Sequence, residues 1–129
     1  MTRTVGWTAV MALAALATAL LLAPAALAKD GDVRVAGTCS GPSTSKLKLS
    51  PEDGGLEVEF EVDQNRNGVR WRVVLFRNGV RVASRVRVTR GPSGSFEARF
   101  VTRDRAGVDR FVARGTRPGE VCGARASIA

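Results

Sequence analysis

The side chains able to do chemistry in this chain are its arginines and glutamates, two cysteines and one oxygen-rich loop; histidine and tyrosine are absent from all 129 residues. Without those two residue types the usual nucleophile–base pairs cannot be assembled. Glu57, Glu59 and Glu61 share one phase of the run LEVEFEVD, and carboxylate pairs can act as acid and base. On an open strand opposite arginines they should stay ionised, whereas a general acid needs a raised pKa. No catalytic residue, no cofactor and hence no enzyme is expected.

A metal site fares no better. Residues 63–68, DQNRNG, match the first half of a calcium loop, with oxygens at Asp63, Asn65 and Asn67. The twelfth position is Val74, where that loop needs a bidentate glutamate, and Arg66 sets a cation inside the cage. The two cysteines are expected to form one bond, Cys39 to Cys122, since the start of the chain reads as an export signal and an oxidising compartment favours pairing. Closing a loop of that length is worth about 4–5 kcal/mol in the chain-entropy model. A zinc site would want more ligands, and histidine is absent.

The remaining chemistry is charge. Lysine and arginine total 20 against 12 aspartates and glutamates, a formal net charge of +8. Arginine far outnumbers lysine, a bias that reads as GC-rich coding and lowers the weight of any single arginine. Arginines at alternating positions on neighbouring strands would nevertheless make an anion-binding face, and Arg70, Arg72, Arg85 and Arg87 are the candidates.

Positioning those arginines falls to a set of strands. Residues 1–28 have the layout of a secretory signal: Arg3, an apolar run, Pro24 and Ala26-Leu27-Ala28 before Lys29 and Asp30. Cleavage after Ala28 is expected; retention as an anchor is the alternative, because the apolar run approaches a span of about 18–20 residues. Residues 29–129 then form one domain, with no membrane span once the signal is removed.

Within it, RNGVR occurs twice, at 66–70 and 77–81. The repeat reads as turn chemistry, since Asn-Gly tolerates the positive φ of a type I′ hairpin. The intervening residues alternate, Trp71, Val73 and Leu75 on one side and Arg70, Arg72 and Phe76 on the other. A two-residue turn at Asn78-Gly79 would set Trp71 opposite Val86 and Val73 opposite Ser84. A hairpin at 63–68 would set Phe60 opposite Trp71, making 56–88 three adjacent strands. Glu61 would then lie beside Arg70 and Glu59 beside Arg72. With 95–102 as the next partner, Glu97 would meet Arg87, leaving Arg72, Arg81, Arg85 and Arg99 less compensated. The plain alternative is a solvated ladder of exposed ion pairs, each worth about 0.2–1 kcal/mol.

Five further segments, 33–38, 46–50, 95–102, 108–114 and 121–128, are short, alternating and bounded by Gly, Pro and Asp. About eight strands closed by one disulfide predict an all-β, antiparallel β-sandwich. Trp71 should pack beside Phe60 near the bond. In architecture the chain resembles immunoglobulin-like and fibronectin-like sandwiches, and in style the small exported basic proteins of high-GC bacteria; neither likeness supplies functional residues. A secreted module, free or wall-associated, that touches an anionic cell-wall polymer or polysaccharide is the expected function. Nucleic acid is a weaker partner, because single-strand binders add aromatic platforms to a basic groove and only Phe76 and Phe111 could reach the outer surface. The alternative is a secreted inhibitor or protein–protein interaction module that presents a loop such as residues 91–94 to another protein.

Overall fold

The computed structural model of the chain describes residues 31–129; the expected export segment lies outside the described residues. Nine strands follow in order: β1 (Val33–Ala36), β2 (Thr38–Cys39), β3 (Thr44–Glu52), β4 (Gly55–Asp63), β5 (Arg70–Arg77), β6 (Val80–Val88), β7 (Ser95–Arg103), β8 (Asp109–Arg117) and β9 (Glu120–Ile128). They form two antiparallel sheets, a four-stranded one ordered β1-β3-β4-β7 and a five-stranded one ordered β2-β9-β8-β5-β6. Strict alternation drives this, because each strand has one apolar face that is stable only when covered. Leu56, Val58, Phe60 and Val62 from one sheet meet Trp71, Val73, Leu75, Phe111 and Ala113 from the other, all buried. This is the expected β-sandwich.

The strand count exceeds the expected eight because the first segment breaks at Gly37. A Cβ there would fall 2.6 Å from the Gly123 carbonyl and closer still to Ser45 Oγ, so only glycine lets the chain cross from one sheet to the other. Cys39 consequently pairs directly with Cys122 on the neighbouring strand β9, and the two are disulfide-bonded. Trp71 packs on Phe96, with ring centroids 5.8 Å apart, and its indole N–H donates to Gln64 Oε1 at 3.0 Å. Phe60 approaches it across Gly115, where an added Cβ would lie 3.1 Å from Phe60 and 3.4 Å from Trp71.

The central expectation of three adjacent strands is overturned. β4 pairs with β3 and β7, and β5 with β6 and β8. Phe60 and Trp71 are partners across the sandwich, not beside each other in one sheet. Residues 64–69 form an arch between sheets, tied by Gly68 N–H to the Thr89 carbonyl at 2.7 Å and by Thr89 Oγ1 to the Arg66 carbonyl. Only the second Asn-Gly is the expected hairpin turn, with φ of 49° at Asn78 and 82° at Gly79; in the first pair Gly68 alone has positive φ.

The β5–β6 register is corrected as well. Arg77 faces Val80 as expected, but a bulge at Leu75/Phe76 shifts the rest, so that Trp71 faces Arg87, Val73 faces Arg85 and Arg72 faces Val86. β6 is an edge strand, where bulges are common and the inner face is only partly covered. Arginine stems can line such a rim while their heads reach polar groups. The Arg85 guanidinium sits 5.0 Å from the Phe100 ring centroid, and Arg87 Nε donates to the Glu97 carbonyl at 3.3 Å.

Candidate anion-binding face

The four candidate arginines are divided by that bulge. Arg70 and Arg72 project from the outer face of the five-stranded sheet, whereas Arg85 and Arg87 share the phase of Trp71 and close the rim of the sandwich. Their expected acidic neighbours are elsewhere. Glu57, Glu59 and Glu61 occupy the outer face of the four-stranded sheet, where Lys46 pairs with Glu61 at 3.3 Å and Lys48 with Glu59 at 3.7 Å. Glu97 meets Arg87 only through its backbone carbonyl; its side chain pairs with Arg99. Arg99, expected to be undercompensated, also reaches Glu59 at 2.8 Å and Glu57 at 3.6 Å. The side-chain hydrogen bond between Glu57 and Glu59 raises the former carboxyl and lowers the latter. This pair lies on an open sheet face.

The other outer face is built differently. Alternation on β8 sends Phe111, Ala113 and Gly115 inward and Arg110, Val112, Arg114 and Thr116 outward; on β9 it sends Cys122, Ala124 and Ala126 inward and Arg125 outward. Phe111, allowed the outer surface by the sequence, is fully buried. The pairings Arg72 with Thr116, Val74 with Arg114, and Val112 with Arg125 bring these strands alongside Arg70 and Arg72. Arg81, opposite Phe76, joins the same face. Six exposed arginines, Arg70, Arg72, Arg81, Arg110, Arg114 and Arg125, therefore share a surface on which no strand places a carboxylate, and none of the six forms an ion pair among the described residues.

Two shallow depressions lie on this face. One, of about 360 Å³, is lined by Arg70, Arg72, Thr116, Arg117 and Pro118. The other, of about 330 Å³, is lined by Thr38, Arg114, Gly123 and Arg125. Arg117 is fixed at the first by Glu120 at 3.3 Å and by the Trp71 ring at 5.6 Å. Clustered guanidinium groups without counter-charge raise the local concentration of anions and bind phosphate or carboxylate oxygens in a bidentate manner. Sequence reasoning missed Arg110, Arg114 and Arg125 at this site: inward Cys122 and Ala124 set Arg125 outside, but with Phe111 allowed the outer surface nothing local placed Arg110 and Arg114 there.

Cys39, Cys122 and the buried Glu120 lie close enough to suggest a metal site, but both sulfurs are bonded to each other. Burial pushes Glu120 up; hydrogen bonds from Ser43 N–H at 3.1 Å and Ser43 Oγ at 2.7 Å outweigh it and hold the carboxyl below its ordinary range. The 91–94 loop is a four-residue turn closed by the Arg90–Ser95 bridge and packed on residues 65–67, with only Gly94 buried within it. In comparisons with known proteins, no family model, no curated protein and no solved structure matches this chain.

Proposed function

We propose that the chain is an exported, non-catalytic sandwich module that binds an anionic envelope or extracellular polymer through the outer face of its five-stranded sheet. One observation carries the reading: six arginines and no carboxylate share that face, while the acidic strand residues lie on the opposite sheet or are buried. Arginine-rich coding raises arginine everywhere; it does not move carboxylates off one surface. The result is a charge-segregated slab, a shape suited to steering and holding polyanions.

Export rests on the layout of residues 1–28, and the disulfide agrees with an oxidising compartment. The immunoglobulin-like likeness belongs to the same reading, since two-sheet frames of that kind act by presenting faces and end loops.

The test is retention on an immobilised anionic polymer at low and at half-molar salt, comparing wild type with Arg72→Gln/Arg114→Gln and Lys46→Gln/Lys48→Gln. The arginine pair should abolish retention and the lysine pair leave it intact, with wild-type binding lost at high salt. Salt-insensitive binding, or equal loss in both variants, refutes the reading. The alternative, an inhibitor or interaction module using its loops, predicts indifference to both pairs and sensitivity to Pro92 and Ser93.

A further inference from the structure

Building on that binding face, we propose that the ligand is a linear phosphodiester polymer without bases, a polyol-phosphate chain, laid diagonally across the five-stranded sheet on Arg70, Arg72, Arg114 and Arg125. The strand pairings set the diagonal. Arg72 is level with Thr116 on β8, so Arg114 stands one strand across and two residues along; Arg114 is level with Gly123 on β9, so Arg125 repeats the same step. With strands about 4.8 Å apart and two residues covering about 6.7 Å, each step is about 8 Å, and Arg70 to Arg72 is about 7 Å.

One step equals one chemical repeat and the other two exceed it by about 1 Å, well within the swing of an exposed arginine side chain. A three-bond peptide unit extends over about 3.5 Å, so the six-bond repeat of a three-carbon polyol phosphate extends over about 7 Å. Each phosphate could then meet one guanidinium, whose planar fork suits two phosphate oxygens. The diagonal begins in the depression at Arg70 and Arg72 and ends in the one at Arg114 and Arg125. It is bordered by Val74 and the exposed Val112 on one side, and by Thr116 and the exposed Val121 on the other. These offer contact to the carbon segments between charges.

A single-stranded nucleic acid has a similar backbone repeat but needs platforms for its bases. Among the described residues the one aromatic on this face is the half-buried Phe76, off the diagonal between Arg81 and Val112. Arg81 and Arg110 supply equal charge away from the line, which makes them internal controls.

Calorimetry with synthetic glycerol-phosphate oligomers of increasing length tests the proposal. Affinity should climb steeply up to four phosphates and then only statistically, with log K against log salt falling with a slope of about −2.8, about 0.7 per phosphate. Arg72→Gln/Arg114→Gln should weaken binding at least about tenfold, and Arg81→Gln/Arg110→Gln less than about threefold. Both pairs sit on the solvent side, so matching melting temperatures will confirm that folding is not the cause. Equal losses from the two pairs overturn the diagonal while leaving the anion-binding face standing. Tighter binding of a thymidine oligonucleotide with the same number of phosphates replaces the polyol by nucleic acid. A protein that binds neither these oligomers nor any other polyanion sinks both readings.

Discussion

Replacing Arg77 by methionine should cost this fold more than any single change on its surface. Arg77 and Asp109 are each about 3% exposed. Arg77 Nε donates to Asp109 Oδ1 at 2.9 Å and Nη2 to Oδ2, while Nη1 donates to Thr102 Oγ1 and the Arg103 carbonyl, both at 2.8 Å. One guanidinium thus links β5 to β8 within its sheet and to β7 in the other. Methionine matches the stem but strands a buried carboxylate, with only Asn78 Nδ2 left as donor at 3.1 Å. Breaking one side of a buried pair costs about 3–5 kcal/mol. At about 4–8 °C per kcal/mol for a domain of this size, the melting temperature should drop by at least about 12 °C.

Urea and thermal unfolding followed by fluorescence of Trp71, fully buried and the only tryptophan among the described residues, would measure it. A second arm uses pH. In the wild type, hydrogen bonds from Arg77, aided by Asn78, hold the Asp109 carboxyl below its ordinary range. Its contribution is therefore complete above the unfolded pKa and lost as pH falls through the folded one. In Arg77→Met, burial is opposed only by the Asn78 hydrogen bond and the weaker field of Arg105 and should raise that pKa, so the variant should gain stability on mild acidification while the wild type does not. Arg77→Met/Asp109→Leu, which removes both charges, should recover a large part of the loss. A loss below about 1 kcal/mol, or a double variant no better than the single one, would refute the assignment of this pair as the clamp between sheets.

Three further outcomes follow from the core. Cys39→Ala/Cys122→Ala should lower stability by about 4 kcal/mol in chain-entropy terms, read as a urea midpoint that reductant moves in the wild type and not in the variant. Gly115→Val, with its Cβ directed at Phe60 and Trp71, should cost about 1–3 kcal/mol and shift Trp71 emission; an unchanged midpoint would contradict the close packing at that site. Glu120→Gln should lose about 1–3 kcal/mol by weakening its Ser43 and Arg117 contacts. It should also shrink the acid dependence, because the depressed folded pKa of Glu120 makes its contribution present above the ordinary carboxylate value and lost as pH drops below it.

Much of this molecule was written in local chemistry. LEVEFEVD could bury Leu56, Val58, Phe60 and Val62 only as a strand, and Asn78-Gly79 could turn only as a tight hairpin, because side-chain period and positive φ are properties of a few adjacent residues. The pairing of Cys39 with Cys122 followed from there being two cysteines and from the expectation of export.

What the neighbours would be was not local. Apolar alternation states that a strand must be covered, and is silent on whether the cover lies beside it or across the core; β4 and β5 satisfied the same pattern from opposite sheets. A single extra residue at the β6 bulge then turned Arg85 and Arg87 toward the rim and Val86 and Val88 outward, since a one-residue slip exchanges the two faces of a strand. Strands, turns, the cross-link and an excess of arginine were thus legible from one residue to the next. Which arginines stand together without carboxylates was settled by the folded arrangement, because strand order depends on how whole apolar faces fit one another.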